Sequence, residues 1–144
     1  MSYKEAVRHR QSVIGQEYLI TICLQDRQPL FQHFDLARAV VHAFRKMEAQ
    51  AQASVLAWVV MPDHLHALIS LSNPKGLGNT VAHFKIDASR CASRRIPWQK
   101  GFHERTLRKA DDRKDIARYI ILNPVRAGLV ASVREYPHWD SVYL

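Results

Sequence analysis

Cysteine is almost absent from this chain. Cys23 and Cys91 are the only two in 144 residues. They stand far apart and in no metal-type spacing, so neither a disulfide framework nor a cysteine-held metal is expected. Two buried or half-buried thiols are the plain expectation. Long apolar runs are also missing, and none approaches the ~20 residues that a membrane-spanning helix requires. The first residues, Met1-Ser2-Tyr3-Lys4-Glu5, carry no apolar stretch of the signal-peptide type. Low-complexity tracts and internal repeats are lacking as well. These absences leave a soluble, cytoplasmic protein of one domain, residues 1–144, with 47% apolar residues to build a core.

Positive charge, by contrast, is plentiful and unevenly placed. The net charge is +8, and the segment from Lys85 to Arg134 holds 13 Lys or Arg against 5 Asp or Glu, which accounts for the whole excess. A clustered basic surface suits a polyanionic partner, nucleic acid above all. A solvated basic face that aids solubility is the plainer alternative.

The pattern of elements follows from periodicity and punctuation. Residues Glu17 to Gln25 (EYLITICLQ) read as a first strand, closed by a turn at Asp26-Arg27-Gln28-Pro29. Asp35 is placed to cap a helix running to about Gln52, with Leu36, Val40, Phe44 and Met47 as its buried stripe. Ser54 to Val60 and His64 to Leu71 form two strands, broken at Met61-Pro62-Asp63, hence a hairpin. Asn73-Pro74-Lys75-Gly76 ends the second of them. A second helix runs from about Asn79 or Thr80 to Arg95, burying Val81, Phe84, Ala88 and Cys91. Gly101 to Leu107 reads as a fourth strand. Asp111 and Asp112 suit the start of a third helix that ends near Asn123, before Pro124. Ser132 and Glu135 form a candidate capping box for a last turn. The order is that of an α+β, ferredoxin-like β-α-β-β-α-β sandwich with an antiparallel sheet and an added C-terminal helix. Such a fold hosts many functions and selects none.

Two segments carry chemistry. Strand side chains alternate faces, so His64, His66, Leu68 and Ser70 share one side while the apolar Leu65, Ala67, Ile69 and Leu71 face the core. Adjacent neutral imidazoles can grip one divalent cation, although the same spacing also describes solvent-facing histidines without a ligand. On the third helix, Tyr119 and Asn123 lie one turn apart at the edge of an arc formed by Ile116, Ala117, Ile120 and Ile121. On spacing alone the bland reading is the stronger one, a boundary tyrosine with its hydroxyl in water. A phenol of pKa about 10 is a weak nucleophile near neutrality, and a metal polarising a phosphate would give it the help it needs.

The residues Val59-Val60-Met61-Pro62-Asp63-His64-Leu65-His66 resemble the histidine–hydrophobic–histidine motif of the HUH endonuclease superfamily. Trp98-Gln99-Lys100-Gly101-Phe102-His103 and the run from Tyr119 to Val130, which contains Asn123-Pro124-Val125-Arg126-Ala127-Gly128, resemble the bacterial single-tyrosine transposases, the REP-associated ones most of all. The resemblance covers nearly the whole chain, from about Tyr18 to Trp139. It implies that Tyr119 attacks a phosphodiester of single-stranded DNA, leaving a 5′-phosphotyrosine and a free 3′-hydroxyl. It implies Mg²⁺ or Mn²⁺ on His64 and His66, with Asn123 where the family places a polar third ligand. The implied substrate is a hairpin from a repetitive extragenic palindrome with a flanking single strand. The implied assembly is a monomer or a homodimer. Asp63 stands where many relatives have asparagine; in a regular strand it points away from the histidine face, and a kink at Pro62 would undo that orientation.

Further candidates are weaker. His103 or Glu104, beside Arg105 and Arg108, is placed to face the site, and Lys85, Arg90 and Arg94 on the second helix are candidate phosphate contacts. Trp98 and Phe102 are candidates for base stacking, with core packing as the rival use. Tyr136 is a rival nucleophile without a partner ligand one turn on. Tyr3, Tyr18 and Tyr143 read as structural, and His9, His33, His42, His83 and His138 form no recognisable pair. Two other functions fit the same pattern less closely. A replication-initiator-type nickase shares this motif order but usually belongs to a longer chain. A non-catalytic nucleic-acid binder on this fold would have no use for His64, His66 and Tyr119 together.

Overall fold

The computed structural model describes residues 14–143. Tyr3 and His9 lie outside them. Five strands form one sheet in the order β4-β1-β3-β2-β5, with β1 at Glu17–Cys23, β2 at Ala53–Val60, β3 at His64–Leu71, β4 at His103–Thr106 and β5 at Trp139–Ser141. Every pairing is antiparallel. Helices α1 (Phe34–Ala49) and α2 (Leu77–Ala92) pack on each other, and α1 packs on the sheet. Helix α3 (Arg113–Ile121) packs against β2, β3 and β5, and a single further turn, α4 (Asn123–Arg126), follows it. The fold is thus α+β, with an antiparallel sheet between two helical layers.

Two cores result. The larger one joins α1 and α2 to the sheet through Ile20, Ile22, Phe44, Leu65, Ile69, Phe84 and their neighbours. The four residues expected to form the stripe of the first helix are all buried there. The smaller core lies under α3 and contains Ala57, Val59, Met61, Leu68, Leu107, Ala117 and Ile120. A bulge in β2 between Val55 and Ala57 shifts the phase of the alternation by which the strand serves both. Ala53, Val55, Trp58 and Val60 face the first core, and Leu56, Ala57 and Val59 face the second.

Several boundaries differ from the sequence expectation, each for a local reason. Helix α1 is entered from His33, which makes no side-chain cap; Asp35 sits in the first turn, where its charge meets the positive end of the helix dipole. Gly76, at φ 98°, admits the chain to α2 two residues earlier than expected, and Ser93 in the left-handed region ends it at Ala92. Asn73 earns its burial by hydrogen bonds to Gln52, Asn79 and Thr80. Asp112 does cap α3, its carboxylate accepting from the Lys114 and Asp115 N–H groups. The reciprocal Ser132–Glu135 box does not form, because the Glu135 carboxylate accepts from the Ala131 N–H instead. Strand β5 was not expected at all. It is three residues long, and only its pairing with β2 makes it a strand. Among the described residues no helix is long and apolar enough to cross a membrane.

Candidate active site

Strand β3 holds its two histidines on the face that α3 covers, opposite the larger core. His64 and His66 meet edge to face with ring centroids 4.8 Å apart. Each ring is tethered through Nδ1. His64 Nδ1 lies 2.6 Å from an Asp63 carboxylate oxygen, and His66 Nδ1 lies 2.8 Å from the Thr21 hydroxyl on the neighbouring strand. Nδ1 protonated and donating to these oxygens leaves Nε2 of each ring with its lone pair for another partner, the arrangement that orients metal-binding imidazoles. Burial holds the His66 pKa down to about 4, helped by the neighbouring His64 ring and by the positive charges of Arg126 and Arg27. His66 is therefore neutral at physiological pH, as a ligand must be.

Asp63 was expected to point away from the pair. The break at Pro62 turns it back, so that it bridges His64 and the Arg27 guanidinium, whose Nε donates to it at 2.9 Å. Both partners favour the charged carboxylate and draw its pKa below the ordinary value against an opposing desolvation cost. Arg27 reaches this position from a tight turn in which Asp26 and Arg27 both adopt left-handed backbone, φ 56° and 53°. That conformation costs a non-glycine residue about 1–2 kcal/mol. Sequence reasoning missed Thr21, Arg27 and Arg126. Thr21 is on the correct face of β1 by alternation, but only the pairing register sets it opposite His66.

The same register decides a choice left open by sequence. Directly opposed residues share a face. His103 pairs with Thr21, which pairs with His66, which pairs with Val59. His103 and Arg105 therefore lie on the histidine side of the sheet, and Glu104, opposite the core residue Ile20, on the other. Arg105 makes an exposed ion pair with Asp111, and Arg108 is exposed on the following loop. Helix α2 belongs to the opposite layer. Arg90 on this helix and Arg94 just beyond its end line a groove of about 500 Å³ with Lys85, Ser89, Ile96 and Trp98, away from the histidines. Lys85 is also held in place, its ammonium donating to the Gln99 and Gly101 carbonyls. Trp98 packs beside Phe31 and Phe84, on the edge of the larger core, and Phe102 adjoins the same core.

The tyrosine helix stops earlier than expected. Helix α3 ends at Ile121, and the chain makes a new turn from Asn123 in which Pro124 is tolerated because first-turn N–H groups need no partner within the helix. Tyr119 is 60% exposed, further out than the core edge. The Arg126 guanidinium lies over its ring, 3.8 Å from the centroid, and donates to the Tyr119 carbonyl at 2.6 Å. Among the described residues no hydrogen bond joins Tyr119 to either histidine. Asn123 carries a buried amide nitrogen without a hydrogen-bond partner, so this side chain has unused bonding capacity on the same short turn as Arg126. Tyr136 is different: its hydroxyl donates to the Val60 carbonyl, and burial pushes its pKa up to about 12, which disfavours it as a nucleophile.

A divalent metal fits these residues in part. The pair offers two oriented nitrogens, whereas the unpartnered atom of Asn123 is its Nδ2, a donor that does not bind a cation, so only its Oδ1 could serve as a ligand. Among the described residues no group of three or more His, Cys, Asp and Glu side chains is arranged to hold a metal, so a third ligand has to be an amide, water or the substrate itself.

Comparison with known proteins identifies the family. The chain is 29% identical over 134 residues to the REP-associated tyrosine transposase of Escherichia coli K12, covering 89% of this chain and 78% of that one. The solved structure of a REP-associated tyrosine transposase bound to a REP hairpin superposes with a TM-score of 0.76 at 24% identity, over 90% of this chain and 79% of that one; this likeness concerns the fold. The model of the IS200-like transposases matches residues 12–122, and the chain belongs to that family of tyrosine transposases.

Proposed function

We propose that this transposase cuts and rejoins single-stranded DNA with Tyr119 as nucleophile and with His64, His66 and Asn123 as the metal-binding set. The observation that carries the proposal is the pair of Nδ1-tethered imidazoles on the sheet face covered by the tyrosine helix. The Tyr119 phenolic oxygen would attack phosphorus, forming a 5′-phosphotyrosine as the bond to the 3′-oxygen breaks, and the departing oxygen would take up a proton as a 3′-hydroxyl. One phosphoester replaces another, so a 3′-hydroxyl can reverse the step and join strands without an external energy source. Bound Mg²⁺ or Mn²⁺ would supply electrostatic polarisation of the scissile phosphate. Asp63 and Thr21 keep the imidazoles oriented, and the exposed phenol is open to an incoming strand.

The substrate we infer is hairpin DNA with a flanking single strand, the kind of ligand named for the structurally similar transposase. The basic second half of the chain supports a polyanion. His103, Arg105 and Arg108 are the proposed contacts beside the histidines, and Arg90 and Arg94 the proposed contacts on the opposite layer. A duplex touching both would pass the β4 edge. We read the fold as a ferredoxin-like sandwich extended by β5, forming one domain over the described residues.

Labelled hairpin DNA incubated with the protein and Mn²⁺ tests the chemistry on a denaturing gel. A covalent protein–DNA band is expected, lost in Tyr119→Phe. Adduct formation that persists in Tyr119→Phe refutes the nucleophile, and failure of every hairpin in a sequence panel moves the protein to the class of non-catalytic binders.

A further inference from the structure

Tyr119 stands in an unusual setting for a side chain proposed to do chemistry. It is largely exposed, and the apolar arc of α3 (Ala117, Ile120 and Ile121) turns away from it into the smaller core. An exposed tyrosine has rotamer freedom, and a nucleophile that samples several rotamers spends little time in line with a phosphate. Something else must limit its ring.

Arg126 is the side chain in place to do so. Its guanidinium lies over the Tyr119 ring at 3.8 Å, well inside the ~6 Å reach of a cation–π contact. One end of the same group donates to the Tyr119 carbonyl at 2.6 Å. The two contacts grip a single residue by ring and by backbone. The break at Pro124 makes this possible: proline offers no N–H, the helix ends, and the following turn brings Arg126 back against the last turn of α3, where carbonyls lack helical donors.

We propose that Arg126 is the positioning residue of the nucleophile, holding the Tyr119 ring by stacking and the Tyr119 backbone by its hydrogen bond so that the phenol is presented to the histidine face. This rests on Tyr119 being the nucleophile. Lysine would keep the charge but lose the flat stacking surface and the fork, so it should substitute only in part. Methionine would keep bulk and lose both contacts.

The test uses the full chain with 3-fluorotyrosine at position 119 and compares the parent with Arg126→Met, Arg126→Gln and Arg126→Lys. Without DNA, the ¹⁹F resonance of the parent should be displaced from that of a free fluorotyrosine peptide, return towards it in Arg126→Met and Arg126→Gln, and lie between in Arg126→Lys. With labelled hairpin DNA at saturation, the single-turnover rate of adduct formation should fall about 10–100-fold in Arg126→Met, the scale expected for a misplaced reacting group. DNA affinity should change less than about threefold, because lost positioning is a loss in rate. Partial recovery is expected in Arg126→Lys. An unmoved ¹⁹F resonance overturns the proposal. So does an unchanged rate, or a loss confined to affinity, which would make Arg126 a DNA contact. Should Arg126→Met fail to fold, Arg126→Gln carries the same comparison. Adduct formation in Tyr119→Phe would instead defeat the nucleophile assignment, and the fluorine spectrum, read without DNA, would still report whether Arg126 holds the ring.

Discussion

Replacing Asp63 by alanine tests whether the carboxylate behind His64 matters to the metal. The carboxylate accepts from His64 Nδ1 at 2.6 Å and from Arg27 Nε at 2.9 Å. Its removal frees the imidazole to rotate or change tautomer. Loss of such an outer partner typically weakens metal binding 10–100-fold, or about 1.4–2.8 kcal/mol at 1.36 kcal/mol per decade. A second effect has the same sign. Arg27 Nη2 lies 3.4 Å from His64 Nδ1, and without Asp63 its positive charge faces the proposed metal position unopposed. Because the Arg27 side chain is 57% exposed, solvent screens most of that repulsion, so it should add no more than about 1 kcal/mol. Asp63→Ala is therefore expected to weaken Mn²⁺ binding 10–500-fold at the very most, and Asp63→Asn far less, since an amide oxygen still accepts from Nδ1. The double variant Asp63→Ala, Arg27→Ala should recover the smaller, electrostatic part only. Mn²⁺ titration followed by electron paramagnetic resonance reads the affinities directly. An unchanged Mn²⁺ affinity in Asp63→Ala would refute the role given to the carboxylate, and full recovery in the double variant would show that charge, not orientation, was the cause.

Other expectations can be checked on the same protein. Ile120→Ala empties a fully buried position under α3 and should destabilise the fold by about 2–5 kcal/mol in urea unfolding, whereas Tyr119→Phe, at an exposed position, should stay within about 0.5 kcal/mol. Lys85→Met removes two hydrogen bonds to the Gln99 and Gly101 carbonyls, so it should lower stability; Arg90→Ala and Arg94→Ala should leave stability unchanged and reduce the salt dependence of DNA binding. Metal-free protein should lose stability as pH falls from about 6.5 towards 4, because the unfolded His66 takes up a proton in that window and the folded one does not. Stability is then fully present above the upper end, and His66→Gln should flatten that part of a urea-midpoint profile.

What could be read from the sequence was what repeats at short range. The stripe of α1, the β2–β3 hairpin, the shared face of His64 and His66 and the Asp112 cap all depend on neighbours a few residues away. The parts that escaped depend on distant partners. Strand β5 has three residues and no periodicity to detect; β2 supplies its ladder. Thr21 joins the site through a register spanning 45 residues of sequence, and the choice of His103 over Glu104 depends on one spanning 82. Arg27 depends on two consecutive left-handed residues that no composition rule announces. The effect of Pro124 was foreseen only in part, since its position showed where the helix would fail and not that the chain would turn back to lay Arg126 on Tyr119. The direction of Asp63 hung on whether the alternation of β3 extends through the proline break, where it does not apply.

The bulge in β2 has one more effect, on room rather than on pairing. Continuing the alternation of Ala53 and Val55 without interruption would carry Trp58 to the histidine side. With the extra residue at Leu56, the strand changes phase, Trp58 stacks on Phe44 in the larger core, and the compact Val59 becomes the neighbour of His66. A one-residue irregularity thus keeps an indole out of the space beside the imidazoles, and the clearance on that face is set by a defect in the ladder two strands away from Thr21.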